Sequence, residues 1–212
     1  MSTVCVIDHP LIQYRLTILR DRGTPAPLFR QLLCEIGELM IYEMARDLPT
    51  EPMVVETPLE KTIGQRLKIA IHLVTILRAG ITMVDGMAKL LPHASIGHLG
   101  IYRNEQTLQP VIYFKKLPPF TPEDRIILVD PMLATGGSAV ASLELLQNAG
   151  AKNLYVATLI AAPEGIKKIQ HHFPEVSIYT AAVDRQLNAN GYILPGLGDA
   201  GDRQFNTMPI SI

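Results

Sequence analysis

Cysteine is scarce in this 212-residue chain: Cys5 and Cys34 are the whole complement, far apart in the sequence. Their spacing offers no zinc site and suits a reducing compartment. A charge excess is missing too, since 19 Lys and Arg stand against 20 Asp and Glu for a formal net charge of −1. Such a balance advertises no large nucleic-acid footprint. No apolar run approaches the roughly 18 residues that a membrane helix requires, and no basic-then-apolar leader opens the chain. These absences predict a soluble, cytoplasmic protein that binds neither membrane nor nucleic acid. Hydrophobic residues at 48% and charged residues at 18% describe a well-buried globular chain, and this length predicts one domain over residues 1–212. Repeats and low-complexity segments are absent.

The stretch from Arg125 to Gly150, RIILVDPMLATGGSAVASLELLQNAG, organises the rest. Ile126, Ile127, Leu128 and Val129 form a continuous apolar run, as expected of a strand buried on both faces. Asp130 ends it, and Pro131 has no N–H to extend a ladder. Small residues follow from Ala134 through Thr135, Gly136, Gly137 and Ser138. A helical pattern begins at Ala139, with Ser142, Leu143 and Leu146 on the same face and Gly150 placed to end it. Strand, small-residue loop and helix in that order can make an anion pocket from main-chain N–H groups. The same pattern also describes an ordinary strand-to-helix turn. No Gly-Lys-Ser/Thr follows the glycines, so this is not a nucleotide-triphosphate P-loop.

Along the chain, residues 1–48 read as a mainly helical arm. Leu11 to Arg20 is one predicted helix, and Thr24 as N-cap with Pro25 in the first turn opens another, reaching about Arg46. That second helix carries two apolar stripes: Leu28, Leu32, Ile36 and Leu39, then Phe29, Leu33 and Met40. A face this wide fits deep burial or a second subunit. Pro49 to Pro58 reads as a linker, and an α/β core is predicted from there to Asp184. Its strands are Ile69–Leu77, Ser95–Tyr102, Ile126–Val129, Leu154–Ile160 and Ile178–Val183, with helices over Ile81–Leu91 and from Pro163. The strand–helix–strand order implies parallel pairing with a right-handed crossover. Arg78 stands at a strand's C-terminal end, where open α/β sheets keep their ligands. Between Gln106 and Glu123 the prolines predict an excursion from the sheet, a hairpin with Lys115 and Lys116 on its return arm, serving as a lid or as a solvated loop. The tail, residues 185–212, contains GYILPGLGDAGDR (Gly191 to Arg203) and reads as loop, ordered by a ligand.

Five segments in order, ILRAG (Ile76–Gly80), IYRNE (Ile101–Glu105), VDPMLATGGS (Val129–Ser138), AAPEGI (Ala161–Ile166) and the GYILPGLGDAGDR tail, resemble those of the uracil phosphoribosyltransferases, a branch of the type I phosphoribosyltransferases. The resemblance runs from His9 to Phe205. It implies a mostly parallel sheet flanked by helices and a reaction joining uracil to 5-phosphoribosyl-1-pyrophosphate (PRPP), giving UMP and pyrophosphate. It also implies roles. Asp130 would hold a ribose hydroxyl, and the 5′-phosphate would sit on Ala134 to Ser138, with Pro131, Met132 and Leu133 completing the PRPP loop. Arg78 and Arg103 would bind pyrophosphate, as guanidinium forks suit charged oxygens. Ile193, Gly198, Asp199 and Ala200 would read uracil, and Asp199 would also lie near PRPP. Mg²⁺ would be held mainly by pyrophosphate oxygens, because Pro131 replaces one of the family's two acids and leaves no protein metal site. The resemblance allows a GTP effector, and the double apolar stripe on Thr24 to Arg46 predicts a homodimer or higher homo-oligomer.

The chain departs from the family pattern at Thr75, Gln106, Gln109 and Asn206. Two other readings compete: an RNA-binding regulator of a pyrimidine operon built on the same fold, and a phosphoribosyltransferase for a purine base.

Overall fold

The computed structural model describes residues 3–103 and 110–207. The chain runs through β1 (Val4–Val6), α1 (Pro10–Arg20), α2 (Ala26–Met44), β2 (Thr50–Glu56), β3 (Lys61–Leu67), β4 (Ile71–Leu77), α3 (Ile81–Leu90), β5 (Ser95–Arg103) and β6 (Pro110–Lys116). There follow β7 (Arg125–Val129), β8 (Met132–Leu133), α4 (Gly137–Asn148), β9 (Asn153–Ala161), α5 (Pro163–His172), β10 (Ser177–Val183), β11 (Gln186–Leu187), β12 (Ile193–Leu194) and α6 (Ala200–Phe205).

One sheet carries the fold, in the order β1-β10-β9-β7-β4-β5-β6, with β8 beside β9. Every pairing in it is parallel except β5 with β6. Both faces are covered, which is why the central strands read as unbroken apolar runs. Alternation splits each strand between two cores: Ile127 and Val129 of β7 join α1, α2 and α3 on one face, while Ile126 and Leu128 join α4 and α5 on the other. Both apolar stripes of α2 are used inside the chain, since Phe29, Leu32, Leu33, Ile36 and Met40 are buried. α2 meets α3 closely: a Cβ on Gly37 would stand 2.5 Å from the Met83 carbonyl oxygen, and one on Gly86 would collide with that of Cys34. His72 is a core residue, its Nε2 lying 3.1 Å from Asp124 and its ring edge-on to Phe120.

Five local expectations are corrected. Residues 49–58 are not a linker; β2 pairs with β3 as an antiparallel two-stranded ribbon outside the main sheet. Thr24 is not the N-cap of α2. Pro25 holds that position, and the Thr24 hydroxyl instead donates to the Ile18 carbonyl at 2.5 Å, closing the turn out of α1. The return arm after Pro110 does not leave the sheet, because β6 pairs along β5 as its antiparallel edge; Asn104 to Gln109, including Gln106 and Gln109, lie outside the described residues. α4 starts at Gly137 rather than Ala139, as Gly136 supplies the left-handed N-cap at φ 75°. The tail, finally, is not all loop: it forms the β11–β12 hairpin and α6.

Candidate active site

Strand order fixes where a ligand belongs. From β4 the chain moves to β5 on one side, then crosses back to β7, β9 and β10 on the other. The crevice at the C-terminal ends of β4 and β7 is the switch point, the usual ligand site of open α/β sheets. Arg78 follows β4 and Asp130 follows β7, while the backbone of Arg103 ends β5 beside them.

The loop after β7 is held by main chain. The Asp130 N–H donates to the Ala157 carbonyl, both Leu159 and Ile160 N–H groups donate to the Pro131 carbonyl, and the Ala162 N–H donates to that of Leu133. α5 presses on the loop from outside. A Cβ on Gly165 would lie 2.5 Å from the Ala134 carbonyl oxygen, and one on Gly136 would lie 3.0 Å from that of Gly165. Gly136 at φ 75° turns the backbone into α4 in a geometry that side chains strain. A small cavity of about 80 Å³ opens here, walled by Asp130, residues 132–139 and Thr158 among others. It presents loop amides at the start of a helix, an arrangement suited to an anion.

Asp130 is the electrostatic outlier. Burial pushes its carboxyl up to about 7, and the negative charge of Asp199 adds to the rise; the Met132 N–H, donating to Oδ1 at 3.3 Å, works the other way. The tail brings Asp199 close. A second cavity, of about 320 Å³, is walled by Met132 and Ala134 of the loop and by Asn190, Gly191, Tyr192, Ile193, Gly198 and Asp199 of the tail. Met132 and Ala134 wall both cavities, so the loop's cavity and the tail's cavity adjoin there.

Three arginines hold this tail to the rest of the chain. Arg20 of α1 reaches both Asp184 oxygens, at 2.8 and 2.6 Å, and the Gly196 carbonyl at 2.8 Å. Asp184 in turn accepts the Gly196 N–H at 2.9 Å. Arg30 of α2 donates to the Gln204 carbonyl. Arg203 donates to the carbonyls of Leu19, Leu197 and Asp21 and lies over the Phe29 ring. Gln204, fully buried, donates to the Ala79 carbonyl at 2.8 Å and accepts from the Thr82 hydroxyl at 2.7 Å, latching α6 to the turn after β4. Beside that latch, Arg78 pairs with Asp202 at 3.2 Å and faces the Phe205 ring.

A family model described as uracil phosphoribosyltransferase matches residues 6–207. The chain belongs to the uracil phosphoribosyltransferase family. Relatives carrying that name include proteins of Finegoldia magna, 54% identical over 98% of this chain and all of that one, and of Streptococcus equi subsp. zooepidemicus, 55% identical over the same shares. A solved protein of Aquifex aeolicus, 38% identical, superposes with a TM-score of 0.92 over 96% of this chain and 98% of its own. The adenine phosphoribosyltransferase of Trypanosoma brucei shares the fold at 14% identity, with a TM-score of 0.59 over 91% and 85% of the two chains. The fold is that of the type I phosphoribosyltransferases, with the β2–β3 ribbon added.

Of the residues assigned from the uracil phosphoribosyltransferase resemblance, Asp130, Met132 to Ser138, Ile193, Gly198 and Asp199 stand on the walls of the two cavities. Arg78 is on neither wall, being turned to Asp202 at the tail's edge. Ala200 is buried in the first turn of α6 and does not line the cavity. The side chain of Arg103 lies outside the described residues. Sequence reasoning missed Asn190 and Tyr192 as wall residues and Arg20, Asp184 and Gln204 as supports. Asp184, an acid closing a core strand, was the one available signal. Among the departures, Thr75 is buried beneath Gly80, and Asn206 takes the left-handed C-cap of α6 at φ 55°, a geometry Asn tolerates.

Proposed function

We propose that this chain transfers the 5-phosphoribosyl group of PRPP to uracil, forming UMP and releasing pyrophosphate, a step of pyrimidine salvage. One observation carries the reading: the cavity of the loop after β7 and the cavity of the glycine-rich tail adjoin across two shared wall residues, in a chain more than half identical to named uracil phosphoribosyltransferases. In this reading the amides of residues 134–138 take the 5′-phosphate, Asp130 accepts from a ribose hydroxyl, and Arg78 and Arg103 face the pyrophosphate. Main-chain groups of residues 193–199 read the base.

The arrangement matches the chemistry. The anomeric carbon becomes cation-like as pyrophosphate departs and uracil N1 bonds to it. Protein groups chiefly align two substrates and neutralise leaving-group charge. Arg78 must exchange Asp202 for pyrophosphate, which ties leaving-group binding to the helix that follows the base loop. Asp130, disfavoured as an anion by its burial, gains the hydroxyl donors that stabilise its charged form once ribose is bound.

Mg²⁺ would arrive on the pyrophosphate oxygens and help neutralise them. Among the described residues no group of three His, Cys, Asp or Glu is placed to hold a metal ion. The further expectation of a homo-oligomer is supported by the β2–β3 ribbon, where Val54, Leu59 and Ile63 are 70, 94 and 70% exposed, rather than by α2. A GTP effector belongs to the same reading, with no residue assigned to it. No helix among the described residues is long and apolar enough to cross a membrane.

The test is direct. Purified protein given PRPP, uracil and Mg²⁺ should yield UMP and pyrophosphate in equal amounts; adenine or hypoxanthine turning over as fast as uracil would remove the reading.

A further inference from the structure

The 5′-phosphate of PRPP brings a charge approaching −2, yet the cavity at the loop is walled by one acid, Asp130, and by no Lys or Arg. Main-chain amides offer only partial positive charge. Arg78 is engaged elsewhere, with Asp202. Lys168, in the second turn of α5, is differently placed. Its Cβ lies 3.3 Å from where a side chain on Gly136 would begin, and its Nζ lies 3.8 Å from where one on Gly137 would begin. The lysine stem therefore runs across the two glycines, and its ammonium group stands at the first turn of α4.

Lys168 is also uncommitted. Glu164, one turn earlier on the same helix face, is the natural i,i+4 partner. Its carboxylate instead accepts the Leu187 N–H at 3.0 Å, which is the main reason its carboxyl titrates below the usual range, and the cation acting on it is Lys167. Among the described residues no ion pair or hydrogen bond is formed by the Lys168 ammonium group; His172 Nδ1 meets the residue's main-chain carbonyl at 2.9 Å. The side chain is exposed and free to swing a short distance.

We infer that Lys168 is a substrate-binding residue, its ammonium group contacting the 5′-phosphate held by residues 134–138, with Gly136 and Gly137 bare so that the stem can pass. This rests on the phosphate-loop reading above and adds to it a cation from a different element. It gives α5 two jobs: Gly165 presses the loop into shape, and Lys168 supplies the charge the loop lacks.

Calorimetric titration separates the two ends of the site. UMP carries the 5′-phosphate and no pyrophosphate; inorganic pyrophosphate reports the other end. Lys168→Met is expected to weaken UMP binding about five- to tenfold at low salt, the scale of one partly exposed charge on a dianion. Pyrophosphate binding should stay within about twofold, Lys168→Arg should restore UMP binding, and the gap between Met variant and wild type should narrow in high salt. If wild type binds UMP and Lys168→Met binds it within about twofold, or loses both ligands equally, the inference is wrong while the loop reading stands. Wild-type protein that binds no UMP would overturn the loop reading itself, and this inference with it.

Discussion

The loop after β7 and the tail after β10 wall adjoining cavities but are built in opposite ways. The loop is shaped by neighbours close in sequence: it exchanges main-chain hydrogen bonds with β9, and Gly165 of α5 packs directly on Ala134. Main chain meets main chain. The tail is shaped by side chains from the far end of the chain, with Arg20 reaching Asp184 and Gly196, and Arg30 reaching Gln204. Charge meets main chain across more than 160 residues of sequence. A loop of the first kind is rigid because nothing in it can move without breaking packing. The second kind depends on a few desolvated charges, and removing one partner leaves the other costly.

Breaking the tail's anchor is therefore expected to have the largest effect. Arg20→Met strands Asp184, whose side chain is 5% exposed, and removing one partner of such a pair costs about 3 kcal/mol. Urea denaturation should show that loss. In the folded fraction, KM for uracil should rise while UMP-phosphate contacts at the loop persist. Unchanged stability and unchanged uracil KM would show that the arginine is ornamental.

The corresponding break in the loop is Gly136→Val. A β-branched residue at φ 75° is strained, and its Cβ would stand 3.0 Å from the Gly165 carbonyl oxygen. Strain of about 2 kcal/mol, roughly thirtyfold in affinity, should appear in KM for PRPP and leave the tail's own contacts untouched. A variant with wild-type PRPP kinetics would contradict the rigid-loop half of the comparison.

Asp130→Asn sharpens the contrast more gently. Its folded carboxyl is raised to about 7 from an ordinary 3.8, burial being the main cause. Between those values the native state holds the proton that the unfolded state has released. The resulting stability is fully present below about 4 and is lost as pH rises through about 7. The Asn variant should thus melt higher than wild type at pH 8 and equally at pH 4, while its use of PRPP falls about tenfold for want of a carboxylate. In the wild type, PRPP affinity should improve as pH rises through about 7. Equal melting temperatures at pH 8 would show that Asp130 is not forced toward neutrality.

The same contrast explains what could be read in advance. β7, the loop and α4 were legible from Ile126 to Gly150, because strands buried on two faces are uninterrupted apolar runs and phosphate-type loops need small residues in a fixed place. β2 and β3 were not. Their side chains are mostly exposed, so no apolar run marks them, and Pro49, Pro52 and Pro58 mimic a linker; a two-stranded ribbon has open edges where a proline such as Pro52 is tolerated. α6 was hidden for another reason. Six residues with Gly201 among them make a poor helix alone, and what holds it, Arg30 and the buried Gln204 contacts to Ala79 and Thr82, is visible only in three dimensions. Thr24 had the right chemistry to accept as a cap, but it precedes the cap position and its hydroxyl donates back to the Ile18 carbonyl. The tail's role was legible only through resemblance, and its arginine anchors not at all.

In the proposed reaction the tail reads uracil through main-chain groups while the loop holds its phosphoribosyl partner, and base discrimination is the sharpest measurement of that division. Uracil presents acceptor, donor, acceptor at O4, N3–H and O2; cytosine reverses the first two. Each mismatch buried without water costs roughly 1–3 kcal/mol, so two together predict a preference on the order of a thousandfold. Measured as kcat/KM at matched PRPP, uracil should exceed cytosine by about that factor. Cytosine turnover within about tenfold of uracil's would contradict the account.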